Sequence, residues 1–252
     1  MSDELALLAD LHRDGERQGP GSEDATRKAL ELTGLAERGN LRIADLGCGT
    51  GAATLLLARI PGARVTAVDR MPEFVDALRR RAVEAGCAGR IDARVASMDA
   101  LEFEPGSFDL IWSEGAVYNI GFAHGVRDWR RLLKPGGVLA VSELTWTTAT
   151  RPDAIEQHWN EEYHGIATAA EKIGTLEAAG YSPIGYFVLP PECWLEHYYR
   201  PLADRLPEFL ERHDHGEAAC AVAAAERHEF ELYERYAAFY GYGFYVARRV
   251  DS

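Results

Sequence analysis

The chain has 252 residues, of which 47% are hydrophobic and 27% charged, with a formal net charge of −13. That supplies one ample core, and no run approaches the roughly 20 apolar residues of a membrane span. The acidic balance repels phosphate backbones and so disfavours nucleic acid as a partner. The four cysteines (Cys48, Cys87, Cys193, Cys220) show no C-x-x-C pairing and read as free thiols of a reducing compartment, not a disulfide frame or zinc site.

The start, Met1-Ser2-Asp3-Glu4, lacks a basic region leading an apolar stretch, so no signal peptide is expected and the expected location is cytoplasmic. Leu5, Leu8, Ala9 and Leu11 recur at helical spacing and predict a short amphipathic helix over 3–12. A loop follows at Arg17-Gln18-Gly19-Pro20-Gly21. Ser22 is a good N-cap, Asp24 suits a first turn, and the next helix is expected to run to about Leu35 with Ala29, Leu30 and Thr33 inward.

The stretch Leu41 to Asp69 carries most of the information. A short apolar strand, Ile43-Ala44-Asp45-Leu46, breaks at Gly47, Gly49 and Gly51. A helix is expected from Ala52 to about Arg59, then Pro61-Gly62, a second strand from Arg64 to Val68, and an acid, Asp69, at its tip. Glycines let backbone approach a ligand where a Cβ would clash, and a helix N-terminus follows. A carboxylate at the next strand's tip can accept two hydrogen bonds from a ribose diol. A dinucleotide fingerprint is G-x-G-x-x-G; here the third glycine comes one residue early.

Pro72 opens a helix whose expected apolar stripe is Phe74, Val75, Leu78, Ala82 and Val83, ended by Gly86. The run Arg79-Arg80-Arg81 reads as a solvated face of it. Ile91 to Ala96 is the third strand and delivers Ser97-Met98-Asp99. Ser107 to Trp112 is the fourth and ends at Glu114, Tyr118 and Asn119, on the edge where parallel sheets bind ligands. A helix is expected over Val126 to Leu133, a tight turn at Lys134-Pro135-Gly136-Gly137, and the fifth strand over Val138 to Ser142, with Glu143 and Trp146 just past it. Helices after Pro152 and over Ala169 to Ala179 precede the sixth strand, Tyr181 to Leu189. Two helices, probed by Trp194, Tyr198, Tyr199, Leu202, Leu206 and Phe209 and then Ala218 to Phe239, read as an αα-hairpin. The final strand is Gly243 to Arg249. Most of the aromatics Trp146, Trp159, Tyr163, Trp194, Tyr198 and Tyr199 read as packing, and His213-Asp214-His215 as a loop without a third metal ligand.

The D-x-G-x-G-x-G pattern of Asp45 to Gly51, with Asp69 and the acid Asp99, resembles motif I and its companions in the class I S-adenosylmethionine-dependent methyltransferases. The resemblance spans about Asn40 to Leu144. It implies an α/β doubly wound seven-stranded sheet of order 3-2-1-4-5-7-6, with strand seven antiparallel. It implies one methyltransferase domain: an N-terminal helical lid (1–36), a Rossmann-like core (37–190), a helical insertion (191–240) and the last strand (241–252). By the same resemblance S-adenosyl-L-methionine is the cofactor, its methionine part is wrapped by Gly47, Cys48, Gly49 and Gly51, its ribose meets Asp69, its adenine packs on Met98 and bonds Asp99, and Arg70 belongs to the same cofactor set. Gln18 to Gly21 is a candidate lid hinge, and Gln18, Asp45 and Glu114 join the cofactor set. The candidates for a catalytic group on the ligand edge are Glu114, Tyr118, Asn119, His124 and Glu143, of which Tyr118 and Glu143 are taken as catalytic. Glu114 alone does not make the acid set of metal-dependent catechol-type members, so no metal is implied. The box that marks nucleobase-amino methylation is absent. The expected reaction is methyl transfer to a small-molecule nucleophile (O, N or C), without nucleic-acid or membrane partners, the insertion being available for a homodimer. The alternatives are a non-catalytic cofactor-binding module, a protein or tRNA methyltransferase, and a nicotinamide-dependent oxidoreductase.

Overall fold

The computed structural model describes residues 3–250. Its centre is one sheet of order β3-β2-β1-β4-β5-β8-β7, with a short β6 paired to β5. The strands are β1 (Arg42–Leu46), β2 (Arg64–Asp69), β3 (Ile91–Val95), β4 (Phe108–Ser113), β5 (Leu133–Trp146), β6 (Ala167–Thr168), β7 (Tyr181–Val188) and β8 (Tyr240–Arg249). Without the two-residue β6 this is the expected seven-strand order, and β8 alone runs antiparallel to its neighbours.

Residue alternation along the strands feeds two cores. Ile43, Leu110 and Val138 face a core shared with α2 (Glu23–Thr33) and α3 (Ala52–Leu57). Their neighbours Ala44, Ile111 and Leu139 face another, shared with α5 (Phe122–Trp129) and α7 (Ala169–Ala178). The helix α4 (Pro72–Glu84) packs on β2 and β3. A roof forms where α1 (Asp3–His12) meets α9 (Arg200–Arg212) and α10 (Glu217–Tyr236). Between β7 and α9 come α8 (Glu192–Trp194) and a π turn at Leu195–Tyr199. The helix α6 (Asp153–Glu162) buries Ile155 and Trp159.

Local chemistry sets the boundaries. Ser22 Oγ accepts from Ala25 N at 3.0 Å, and Gly34 takes the left-handed conformation, ending α2 at Thr33, short of Leu35. Thr168 and Glu171 form a reciprocal capping box at the start of α7. Gly51 (φ +94°) begins α3, and a Cβ there would lie 2.2 Å from Leu78 Cδ1. Gly51→Ala is therefore expected to cost about 2 kcal/mol, a fall of about 4–8 °C in Tm measured by calorimetry on the ligand-free protein.

Several expectations are corrected. Val83 is 70% exposed, one position off the buried stripe of Val75, Leu78 and Ala82. The helix α5 begins at Phe122, ahead of Val126, and a 3-10 turn over Arg130–Leu132 follows it. The Lys134-Pro135-Gly136-Gly137 turn lies inside β5 as a bulge: Leu133 pairs with Phe108 and Val138 with Leu110, so four residues face one. Strand β5 runs on to Trp146 because β8 pairs with it over its whole upper length, so Glu143 and Trp146 lie within the strand. Arg81 is not solvated: it donates to Gly15 O at 2.9 Å and Thr50 Oγ1 at 2.6 Å.

Candidate active site

The carboxyl ends of β1, β2 and β4, with the loop after β3, open into one cavity of about 420 Å³, roofed by α1, the 13–21 segment, the π turn and α10. Of the residues expected at the site, Gly47, Cys48 and Gly49 line it from the loop after β1. Asp69 and Arg70 line it from the tip of β2, Met98 and Asp99 from the loop after β3, and Glu114 and Tyr118 from the loop after β4. Asp45 and Gln18 complete the set. Gly51 faces Leu78 and Glu143 lies in the sheet; neither is on the wall.

The glycine loop is shaped for close approach. A Cβ on Gly47 would sit 2.3 Å from Ala116 Cβ, and one on Gly49 would sit 2.1 Å from Gln18 Oε1. Gln18 plugs the loop: its Oε1 accepts from Thr50 N at 2.8 Å, while its Nε2 donates to His12 O at 3.2 Å and Gly15 O at 3.1 Å. Asp69 Oδ2 accepts from Gly49 N and its Oδ1 from Met71 N, both at 2.9 Å. Burial raises its carboxyl pKa against those two bonds. Asp45 is buried, takes the Thr54 hydroxyl, and titrates at about 7 because of burial and the nearby charges of Glu114 and Asp69.

Glu114 is the latch between sheet and roof. Its Oε2 accepts from Arg17 Nη1 at 2.7 Å, and its Oε1 accepts from Thr26 Oγ1 at 2.7 Å and Trp112 Nε1 at 3.0 Å. Glu143 is 1% exposed, stands 3.7 Å from Lys172 Nζ, and has its carboxyl pushed up to about 7 by burial. That places this catalytic candidate beneath the wall, out of touch with the cavity. Of the six aromatics taken mostly as packing, Tyr198 alone lines the cavity; Trp194, for instance, stacks on Tyr233 at 4.4 Å.

Sequence reasoning missed that His12, Tyr198, Glu226 and Glu229 line the same cavity as Tyr118. A signal existed: His12 continues the Leu5-Leu8 stripe, and Glu226 and Glu229 interrupt the stripe between Val222 and Tyr233. Burial, with Glu226 alongside, lifts the Glu229 carboxyl to about 7.

Residues 43–137 match the family model described as a methyltransferase domain. A ubiquinone biosynthesis O-methyltransferase of Xanthomonas campestris pv. campestris (strain B100) is 35% identical over 200 residues, covering 77% of each chain. The chain belongs to the class I S-adenosylmethionine-dependent methyltransferases. Among solved structures, a SAM-dependent methyltransferase of Geobacter sulfurreducens in complex with S-adenosyl-L-homocysteine superposes with TM-score 0.81 at 19% identity over 98% of both chains, and shows the shared fold. The 4+2 cyclase SpnF superposes with TM-score 0.78 at 25% identity, covering 98% of this chain and 93% of its own. The methyltransferase uses S-adenosyl-L-methionine and methylates a small-molecule nucleophile. Among the described residues no helix is long and apolar enough to cross a membrane, and no cluster of three metal-ligating side chains occurs.

Proposed function

We propose that this methyltransferase transfers the methyl group to a hydroxyl oxygen of an uncharged small molecule. The observation that carries the reading is the cavity itself. The cavity that carries the glycine loop is also lined by a group made of His12, Tyr118, Tyr198, Glu226 and Glu229. Two carboxylates belong to that group, and no lysine or arginine with a free charge lines the cavity beside them among the described residues: Arg17 is spent on Glu114, Arg70 stands beside Asp69, and Arg205, which approaches Glu226, is not on the wall. A carboxylated or phosphorylated acceptor would meet like charge in a low-dielectric space. The O-methyltransferase relative adds weight to a hydroxyl acceptor.

When bound, the cofactor supplies an electrophilic methyl on a sulfonium. In this reading Asp69 holds the ribose hydroxyls, with Arg70 alongside. Met98 and Asp99 receive the adenine, and Gly47, Cys48, Gly49 and Gln18 enclose the methionine part. Gly51 shapes the loop, while Asp45 and Glu114 brace it. Tyr118 forms the acceptor's wall, and the roof excludes water so that the two reactants meet in line. No step is assigned to Glu143. The 1–36 and 191–240 segments act as one lid on the 37–190 core, closed by 241–252. A cytoplasmic location belongs to the same reading, supported by four free cysteines.

The test is a panel of neutral phenols (catechol included), carboxylated phenols and amines, offered with methyl-labelled S-adenosylmethionine. Label entering neutral phenols at least about tenfold faster than carboxylated ones is the expected result, about 1.4 kcal/mol of discrimination. Label entering only amines or only carboxylated acceptors would overturn the reading.

A further inference from the structure

We infer that His12, oriented by Glu226, takes the proton of the acceptor hydroxyl during methyl transfer; this rests on the hydroxyl reading above.

His12 is the last residue of α1, and Glu226 lies midway along α10. His12 Nε2 and Glu226 Oε1 are 3.3 Å apart, with the two side chains 9% and 11% exposed. Both residues line the cavity. A carboxylate only accepts, so the proton of a neutral imidazole sits on Nε2 and the Nδ1 lone pair is left over. That Nδ1 and the second oxygen of Glu226 are buried without a hydrogen-bond partner among the described residues. Leaving such atoms unpaired costs about 1–3 kcal/mol apiece, a cost that an incoming acceptor would remove. The Tyr198 ring lies nearly parallel to the imidazole, centroids 6.1 Å apart, and fixes its plane. The His12 carbonyl is bound by Gln18, whose other end holds the glycine loop at Thr50. One side chain thereby ties the dyad to the end of the cavity assigned to the cofactor's methionine part.

The chemistry balances. A neutral phenol titrates near 10, so its oxygen attacks well only as the proton leaves. The hydroxyl proton passes to His12 Nδ1. The oxygen's electron pair forms the new bond to the methyl carbon, and the carbon–sulfur bond breaks with its pair going to sulfur. The products are the methyl ether, S-adenosylhomocysteine and an imidazolium facing the Glu226 carboxylate. The proton then leaves to solvent. The dyad is also faced by Glu229 from α10, Tyr198 from the π turn, Arg205 from α9 and Tyr118 from the loop after β4. His12 is here a catalytic residue and Glu226 a positioning residue.

The experiment is single-turnover methylation of catechol across about pH 5 to 9, the range in which histidine titrates, by wild type, His12→Gln, Glu226→Gln and Glu226→Asp. The cofactor Kd of each variant is measured alongside. The wild-type rate is expected to rise with pH to a plateau through a single midpoint. His12→Gln should lose about 100-fold or more in rate and lose that pH limb, with cofactor Kd within about threefold of wild type. Glu226→Gln, which removes the anion that favours the imidazolium, should move the midpoint to lower pH. Glu226→Asp should recover part of the shift. A His12→Gln rate and pH profile equal to wild type would overturn the inference while leaving the hydroxyl reading intact. An unmoved midpoint in Glu226→Gln would remove Glu226 from it. No transfer to catechol or any other neutral phenol by wild type would overturn the hydroxyl reading and this inference with it.

Discussion

Asp69→Ala is expected to weaken S-adenosylmethionine binding by about 100-fold or more, because in the proposed reading it removes two hydrogen bonds from a ribose diol to a carboxylate, about 1.5–3 kcal/mol each. Position and pairing together favour so large an effect. The carboxylate stands at the tip of β2 on the cavity wall and is braced by Gly49 N and Met71 N, each at 2.9 Å. Those two backbone donors leave lone pairs on both oxygens for the ligand, and they fix the carboxylate before binding. Alanine would therefore remove the proposed ribose acceptor together with the strut that holds the glycine loop at Gly49 N. Asp69→Asn keeps the size but reverses half of the hydrogen-bonding sense, and should fall between the two. Isothermal titration decides the matter. A Kd within about threefold of wild type for the alanine variant would take the ribose role away from Asp69.

Arg17→Ala should destabilise the protein by about 3–5 kcal/mol, because it leaves a buried carboxylate without its cation. The Arg17 and Glu114 side chains are only 9% and 11% exposed, and the guanidinium also donates to Thr26 Oγ1 at 3.1 Å. For a chain of this size that corresponds to a fall of about 6–20 °C in Tm. Because Arg17 pins the 13–21 segment over the cavity, trypsin should also cut after Arg13 faster than in the wild type. A Tm within about 2 °C of wild type, with unchanged cleavage, would show that the latch contributes nothing to holding the roof down.

Much of the architecture was legible because it depends on local chemistry. Three glycines after an apolar strand, with an acid at the tip of the next, place Gly47, Gly49 and Asp69 on one cavity whatever the rest of the chain does. The helix starts at Ser22 and Pro72 and the end of α7 before Gly180 follow from caps and punctuation. What escaped depends on distant partners. Lys134-Pro135-Gly136-Gly137 has the composition of a turn, yet the pairing of its flanks with β4 makes it a bulge. Arg81 looked like one member of a charged run until the 13–21 segment folded over it. His12 and Glu226 are 214 positions apart, and no periodicity in either helix announces the other. That part of the cavity showed only as polar interruptions of two apolar stripes, while the glycine loop was plain.

The order of strands carries a consequence for how the chain is made. The last strand in sequence is not the last in space: β8 enters between β5 and β7 and pairs with both. Until residues 240–249 have left the ribosome, β5 and β7 each present an open edge, the state most prone to wrong pairing. The same late strand follows α10, which brings Glu226 and Glu229 to the cavity. The glycine loop is thus complete early in the sequence, whereas the cavity wall at Glu226 and Glu229 and the closure of the sheet both wait for the last sixth of the chain.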